Sequence, residues 1–134
     1  MKNTRNFFVA RVLPLVLIAV IALSVVSCGT QKPVADGTEK TFTFEAYDLD
    51  GSKLYGAEIT TRAATVAEAL LEKELVTGEN GQFGLYVQSV CGVEAVYEKD
   101  QTYWAFYING EYAMTGSDLT APENGATYSF VRTK

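Results

Sequence analysis

Tyr103-Trp104-Ala105-Phe106-Tyr107-Ile108-Asn109-Gly110-Glu111-Tyr112-Ala113-Met114 is the stretch that decides the fold. Asn-Gly between two aromatic-rich runs is a strong short-range hairpin signal, because both positions of a type I′ turn need φ > 0. That turn fixes the register: paired residue numbers sum to 219, so Tyr107 faces Tyr112. Strand alternation then puts Trp104, Phe106 and Ile108 on one face, and Tyr103, Tyr107, Tyr112 and Met114 on the other. A sheet covered by one helix takes the first set into its core. The second set forms a Tyr-rich patch, a candidate binding platform because Tyr is amphipathic and enriched at interfaces. Ordinary cross-strand stacking that stabilises the hairpin is the other reading of the same rings.

Upstream, Thr41 to Thr61 carries a second hairpin signal. Phe42, Phe44 and Ala46 alternate with Thr41, Thr43 and Glu45, the period of a half-buried strand. With Asp50-Gly51 as another type I′ turn, partners sum to 101. Phe42 faces Ile59, Phe44 faces Ala57 and Ala46 faces Tyr55, while Asp48 meets Lys53 on the opposite face. Apolar meets apolar and acid meets base, so the register is self-consistent. Asp48-Leu49-Asp50-Gly51 also resembles the start of a calcium loop, but the further oxygen ligands and the bidentate Glu at its twelfth position are missing.

Between the hairpins, the spacing predicts one helix over Thr65 to Val76, with Thr65 and Glu68 as a capping box and Gly78 as the stop. Val66, Ala69 and Leu70 share an apolar stripe with Ala67, Leu71 and Leu75 beside it, and Glu68, Glu72 and Glu74 read as the solvated side. A Gly-rich loop from Gly78 to Gly84 follows, then a strand from Leu85 to Val90. Past a break at Cys91-Gly92 comes a further short strand, Glu94 to Tyr97. After the aromatic hairpin, Pro122-Glu123-Asn124-Gly125 turns into a last strand, Thr127 to Val131. The order reads β-β-α-β-β-β-β: an α+β fold in which a single crossover helix covers one face of a mixed sheet, the β-grasp arrangement.

Four segments carry a family resemblance: Tyr86-Val87-Gln88-Ser89-Val90-Cys91-Gly92-Val93, the run from Tyr103 to Gly110, Gly116, and Asn124-Gly125-Ala126-Thr127-Tyr128-Ser129-Phe130. Together they resemble the transcobalamin-like C-terminal domain, a small β-grasp module of bacterial surface proteins and lipoproteins. The likeness covers about residues 60–134. It implies a kinship with the domain that closes over one face of the corrin ring in animal cobalamin carriers, and hence a corrinoid as a possible ligand. The α-helical barrel of those carriers has no counterpart here, and the chain has no His to ligate cobalt.

The N-terminus reads as an address. Lys2, Arg5 and Arg11 precede an uncharged, mostly aliphatic run from Val12 to Val26, and Ser27-Cys28 follows. A basic start, an apolar core and small residues at the cut describe a secretory signal peptide. The cysteine placed directly after them resembles a bacterial lipoprotein signal, which implies cleavage between Ser27 and Cys28 and acyl chains, palmitate among them, on Cys28. The run is shorter than the ~20 residues a spanning helix needs. The expected organisation is therefore a signal peptide over 1–27, a lipidated cysteine and flexible linker over 28–39, and the β-grasp domain over 40–134. The protein would sit as a monomer on the extracytoplasmic face of the bacterial cell membrane. Sixteen acids against eight bases beyond Cys28 leave the mature chain at −8. That balance speaks against nucleic acid, which wants clustered Lys and Arg. Cys91 is left without an intramolecular partner and is expected to be a small buried hydrophobe.

The chain has no His, no metal-ligand spacing and no phosphate loop, and its acid pairs, which alone could serve a glycosidase, find little depth for a cleft in so small a domain, so no catalytic residue, no metal ligand and no resident cofactor is expected. A surface binding module is the leading class. One version binds a small molecule such as a corrinoid; the other is a protein–protein or cell-envelope scaffold module that docks a partner on the same Tyr patch.

Overall fold

The computed structural model describes residues 31–134. Its first half runs β1 (Lys40–Tyr47), β2 (Lys53–Thr61), α1 (Val66–Glu72), β3 (Val76–Gly81) and β4 (Gly84–Val90). Its second half runs β5 (Val93–Glu94), α2 (Tyr97–Asp100), β6 (Tyr103–Ile108), β7 (Glu111–Tyr112), a 3-10 turn (Ser117–Leu119) and β8 (Thr127–Thr133). Five strands form one mixed sheet in the order β2-β1-β8-β6-β7, and β3-β4-β5 form a second, three-stranded sheet. The α+β class with a mixed sheet is the one the sequence predicts. The second sheet and the second helix α2 are additions to it.

The aromatic hairpin folds as expected. Tyr107 pairs with Tyr112 and Ile108 with Glu111, and Asn109 and Gly110 take φ of 50° and 81°, the left-handed pair of a type I′ turn. The expected strand to Met114 ends at Tyr112. Ala113 still donates to the Phe106 carbonyl (2.9 Å) before the chain leaves the ladder.

The first hairpin keeps its predicted register from Phe42–Ile59 to Ala46–Tyr55 and then departs from it. Tyr47, not Asp48, stands opposite Lys53, after a register shift at Ala46/Tyr47. Gly51 alone in this turn has a positive φ, 84°. Its N–H donates to the Asp48 carbonyl, and Asp48 N–H donates to the Ser52 carbonyl, both at 2.9 Å. This is a type I turn closed by a glycine bulge rather than type I′. The Asp50 carboxylate favours it by accepting from the Ser52 N–H (2.9 Å) and Oγ (2.6 Å).

Helix α1 starts where its cap predicts: Thr65 Oγ1 accepts from the Glu68 N–H at 3.1 Å, and Glu68 accepts from the Ala64 N–H at 3.2 Å. It ends early. Glu74 turns left-handed (φ 57°), its N–H donates to the Leu71 carbonyl (3.0 Å), and the Leu75 N–H reaches the Leu70 carbonyl (2.9 Å). These two bonds are a Schellman closure, here with a non-glycine residue in the left-handed position. The chain is thereby released into β3, so the expected Gly-rich loop is half of a β3–β4 hairpin. Gly78 sits at its register shift, where a Cβ would collide with the Tyr86 carbonyl oxygen. Cys91 and Gly92 (φ 49° and 82°) turn β4 into β5, and the predicted strand over Glu94 to Tyr97 gives way after Glu94.

Both hairpins feed one core. Phe44 and Leu70 are fully shielded, with Tyr128 and Phe42 almost so. Tyr128 meets Phe42 edge-on at 5.1 Å and stacks on Phe106 at 6.0 Å. Its hydroxyl is satisfied by the Glu123 N–H (3.1 Å) and the Ala121 carbonyl (3.3 Å). Trp104 and Phe106 are buried as expected, while Ile108 is half-buried.

Candidate ligand cleft and tyrosine face

β6 divides its side chains between two places. On its outer face Tyr107 meets Tyr112 edge-on, with ring centres 5.7 Å apart and planes at 87°, and Tyr112 is 59% exposed. Met114 lies beyond the end of β7 and is almost fully exposed. Tyr103 lies on the same face of β6 but opposite Thr133, four pairs along the ladder from Tyr107. The structure thus brings Tyr107 and Tyr112 together and leaves Tyr103 and Met114 apart from them. Sequence reasoning misses a fourth ring, Tyr47. β8 sits between β1 and β6, with Tyr47 against Val131 and Val131 against Ala105, so Tyr47 joins the outer face. Its period-2 alternation with Glu45 is visible in the sequence; the neighbouring strand is not. Lys53 Nζ stands 5.6 Å from the Tyr47 ring centre and 3.2 Å from Glu45. The Tyr47 hydroxyl and then this ammonium hold the Glu45 carboxyl below its ordinary pKa.

Between the two sheets opens a cleft of about 190 Å³. Leu85, Tyr86 and Val87 of β4 line it from one sheet, Trp104 and Phe106 of β6 and Phe130 of β8 from the other, and Gly116 and Ser117 complete it. Tyr86 is fixed there because its hydroxyl accepts from the Tyr97 N–H at 3.2 Å, which gives α2 a role. Asp118 ties the 3-10 turn to β4 by accepting from the Leu85 N–H at 3.1 Å. Trp104 is 7% exposed, and its indole Nε1 finds no hydrogen-bond acceptor. The ring is legible in the sequence as core; the unmatched donor is not, since it emerges only once every neighbour is placed.

Other sequence candidates resolve simply. Ser27 and Cys28, with the whole predicted signal peptide, lie outside the described residues. Among the described residues no helix is long and apolar enough to cross a membrane, and no group of three or more His, Cys, Asp or Glu is placed to hold a metal ion. Asp48 and Asp50, the two acids of the calcium-like turn, are engaged with Arg132 and Ser52 instead. Cys91 is half-buried at a turn, and burial pushes its thiol pKa up, away from the thiolate that reactivity needs.

Known structures share this fold. A protein from Ruminococcus gnavus ATCC 29149, provisionally named as metal binding, is 27% identical with a TM-score of 0.65, covering 71% of this chain and 97% of its own. Haptocorrin, solved in complex with Cbi, is 19% identical with a TM-score of 0.58. That match covers 73% of this chain, which spans about a quarter (26%) of haptocorrin. Both are described by what they bind, neither as an enzyme. Among curated proteins none matches significantly. The α+β fold is therefore of the transcobalamin-like kind that the sequence motifs imply. Residues 63–130 match the family DUF4430, a domain of unknown function, and the chain belongs to that family.

Proposed function

We propose that this chain is a lipid-anchored binding protein of the extracytoplasmic membrane face, whose domain over residues 40–134 takes a small organic molecule in the cleft beside Trp104. The observation that carries the reading is the cleft itself, open between the two sheets and lined mostly by aliphatic and aromatic residues, with Trp104 among them. Ligand sites have this make-up, mostly apolar with a few placed polar groups. The fold shared with haptocorrin supports a corrinoid as the first candidate. A corrin ring is larger than the cleft, so its periphery would enter while the ring lies across the mouth. The metal in the name of the R. gnavus protein has no ligand cluster to meet among the described residues, which favours an organic ligand here.

Titration of the purified full-length chain in detergent with cobinamide and cobalamin, followed by equilibrium dialysis and Trp104 fluorescence, tests this. Retention with a change in emission is the expected result; dialysis of every corrinoid to equal concentrations on both sides would remove the corrinoid reading. For the anchor, mass spectrometry of the native protein is expected to show an acylated N-terminus at Cys28, absent from a Cys28→Ser variant. An intact Met1 on the mature protein would sink it.

The outer face with Tyr47, Tyr107 and Tyr112 favours a second reading, a protein-docking or envelope-scaffold module. Truncating Tyr107 and Tyr112 together would then weaken partner capture by about 2 kcal/mol or more and leave the cleft's ligand untouched.

A further inference from the structure

The two short strands beside the cleft both stop before they cover it. β7 pairs with β6 only at Tyr107 and Ile108, and one further bond, from the Ala113 N–H to the Phe106 carbonyl, ends its cover. β5 pairs with β4 only at Ser89 and Val90, and the bond from the Ala95 N–H to the Gln88 carbonyl is the last on that side. Beyond them lies open strand edge. The Asn109 N–H bonds Thr127 of β8, so alternation along the ladder turns the peptide groups of Tyr107, Ala105 and Tyr103 to β8 and those of Trp104 the other way. On β4 the Tyr86 carbonyl points at Gly78 of β3, while the Leu85 N–H points away from β3, to Asp118. The Leu85 carbonyl and the Val87 N–H share that outward direction. Among the described residues, these two groups and the N–H and C=O of Trp104 have no hydrogen-bond partner.

Trp104 and Val87 are each 7% exposed, and a buried peptide group left unpaired costs free energy comparable to a lost hydrogen bond. The cleft follows both edges. Leu85, Tyr86 and Val87 border it in succession, as do Tyr103 and Trp104, although side chains of successive strand residues alternate between faces. No charged residue lines it.

From this we infer that the cleft is a strand-addition site: a short, extended, apolar peptide pairs its main chain with Trp104 of β6 and with Leu85 and Val87 of β4. Main-chain bonds give such a site its affinity, and pockets for alternate side chains give it specificity. Here those side chains meet Leu85, Phe106 and Phe130, so they are uncharged. The inference rests on the cleft being a ligand site and does not depend on a corrinoid.

The full-length ¹⁵N-labelled protein in detergent is titrated with a valine–alanine–valine peptide blocked at both ends. Two analogues carry an ester in place of one or the other internal amide, which removes an N–H and nearly preserves the shape. The peptide is expected to move the Trp104 and Val87 backbone N–H resonances downfield and to slow their hydrogen exchange. It should bind about tenfold more tightly than the weaker analogue, the ratio one lost buried hydrogen bond is worth. If peptide and esters bind alike while the Trp104 and Val87 amides stay in place, the cleft is a purely apolar site and the inference is wrong. If cobinamide moves the Leu85 and Val87 resonances and the peptide does not, the cleft serves another ligand class, and the inference alone falls. If no probe moves those resonances, the cleft is no ligand site, and the reading beneath the inference falls with it.

Discussion

The two hairpins of the large sheet each turn on an Asx-Gly pair, Asp50-Gly51 and Asn109-Gly110, yet they close differently. Asn109 accepts a left-handed backbone and uses its side chain elsewhere: its Oδ1 accepts from the Thr127 N–H (2.9 Å), while its own N–H donates to the Thr127 carbonyl (2.7 Å). The tight turn is thereby stapled to β8. Asp50 spends its carboxylate on Ser52 inside its own loop, which lengthens the turn and shifts the strand register by one residue. The shift releases Asp48 to Arg132, whose guanidinium also takes Asp100 at 3.1 Å and Thr102 at 3.2 Å. The same dipeptide signal thus yields different turns when its side chain has different partners. One turn is held by aromatic and backbone contacts, the other by charge.

The strand interiors should not share this difference. Phe44→Ala in the first hairpin and Trp104→Ala in the second are each expected to cost about 3–5 kcal/mol in urea unfolding, as large-to-small core changes do. A gap of several kcal/mol between them would mean that one hairpin lies outside the common core. Next in size, Asn109→Ala should cost about 1–2 kcal/mol, because alanine resists a left-handed backbone and the contact to Thr127 is lost. Asp50→Ala, at a residue with ordinary φ, should cost less. Equal losses would erase the comparison. A double-mutant cycle on Tyr107 and Tyr112 should return a coupling of about 0.5–1.5 kcal/mol, and no coupling would reduce their edge-on contact to proximity.

The smallest expected effect is on pH dependence. Asp50 is held below its ordinary pKa by its Ser52 hydrogen bonds, and Glu45 by Tyr47 and then Lys53. Depressed folded-state values mean a contribution that is fully present above the unfolded carboxylate range, about pH 4, and is lost as pH falls through the folded values. Hydrogen-exchange protection of Ser52 should therefore decline on acidification before that of Thr127, whose partner is an amide. Simultaneous loss would show that the ionic turn is not an independent element.

Strand interiors, their faces, the helix cap and the Asn-Gly turn were legible because each depends on residues close in sequence. Other features depend on distant partners. Val76-Thr77-Gly78-Glu79-Asn80-Gly81 has no strand period and becomes β3 only because β4 pairs with it. Glu74 replaces the glycine expected at the helix end because the two Schellman bonds, with Leu75 packed against the core, hold it left-handed. The cleft draws on β4, β6 and the 3-10 turn, segments that only the tertiary fold brings together. Tyr107 and Tyr112 were readable as a pair; Tyr47 on the same sheet face was not, because β8 was not placeable between β1 and β6.

That placement of β8 has a kinetic meaning. Its residues, Thr127–Thr133, run parallel to β1 and antiparallel to β6, so the last strand of the domain is the middle of the sheet. β1 has its ladder partner β2 on one side alone until Thr127, 84 residues beyond the Thr43 it pairs with, has been made. Pairings over such separations are slow to form. A chain threaded outward through a membrane in N-to-C order would therefore emerge with its sheet unassembled and close it only on arrival of its final segment. Removing residues 127–133 should leave two hairpins with no strand to join them.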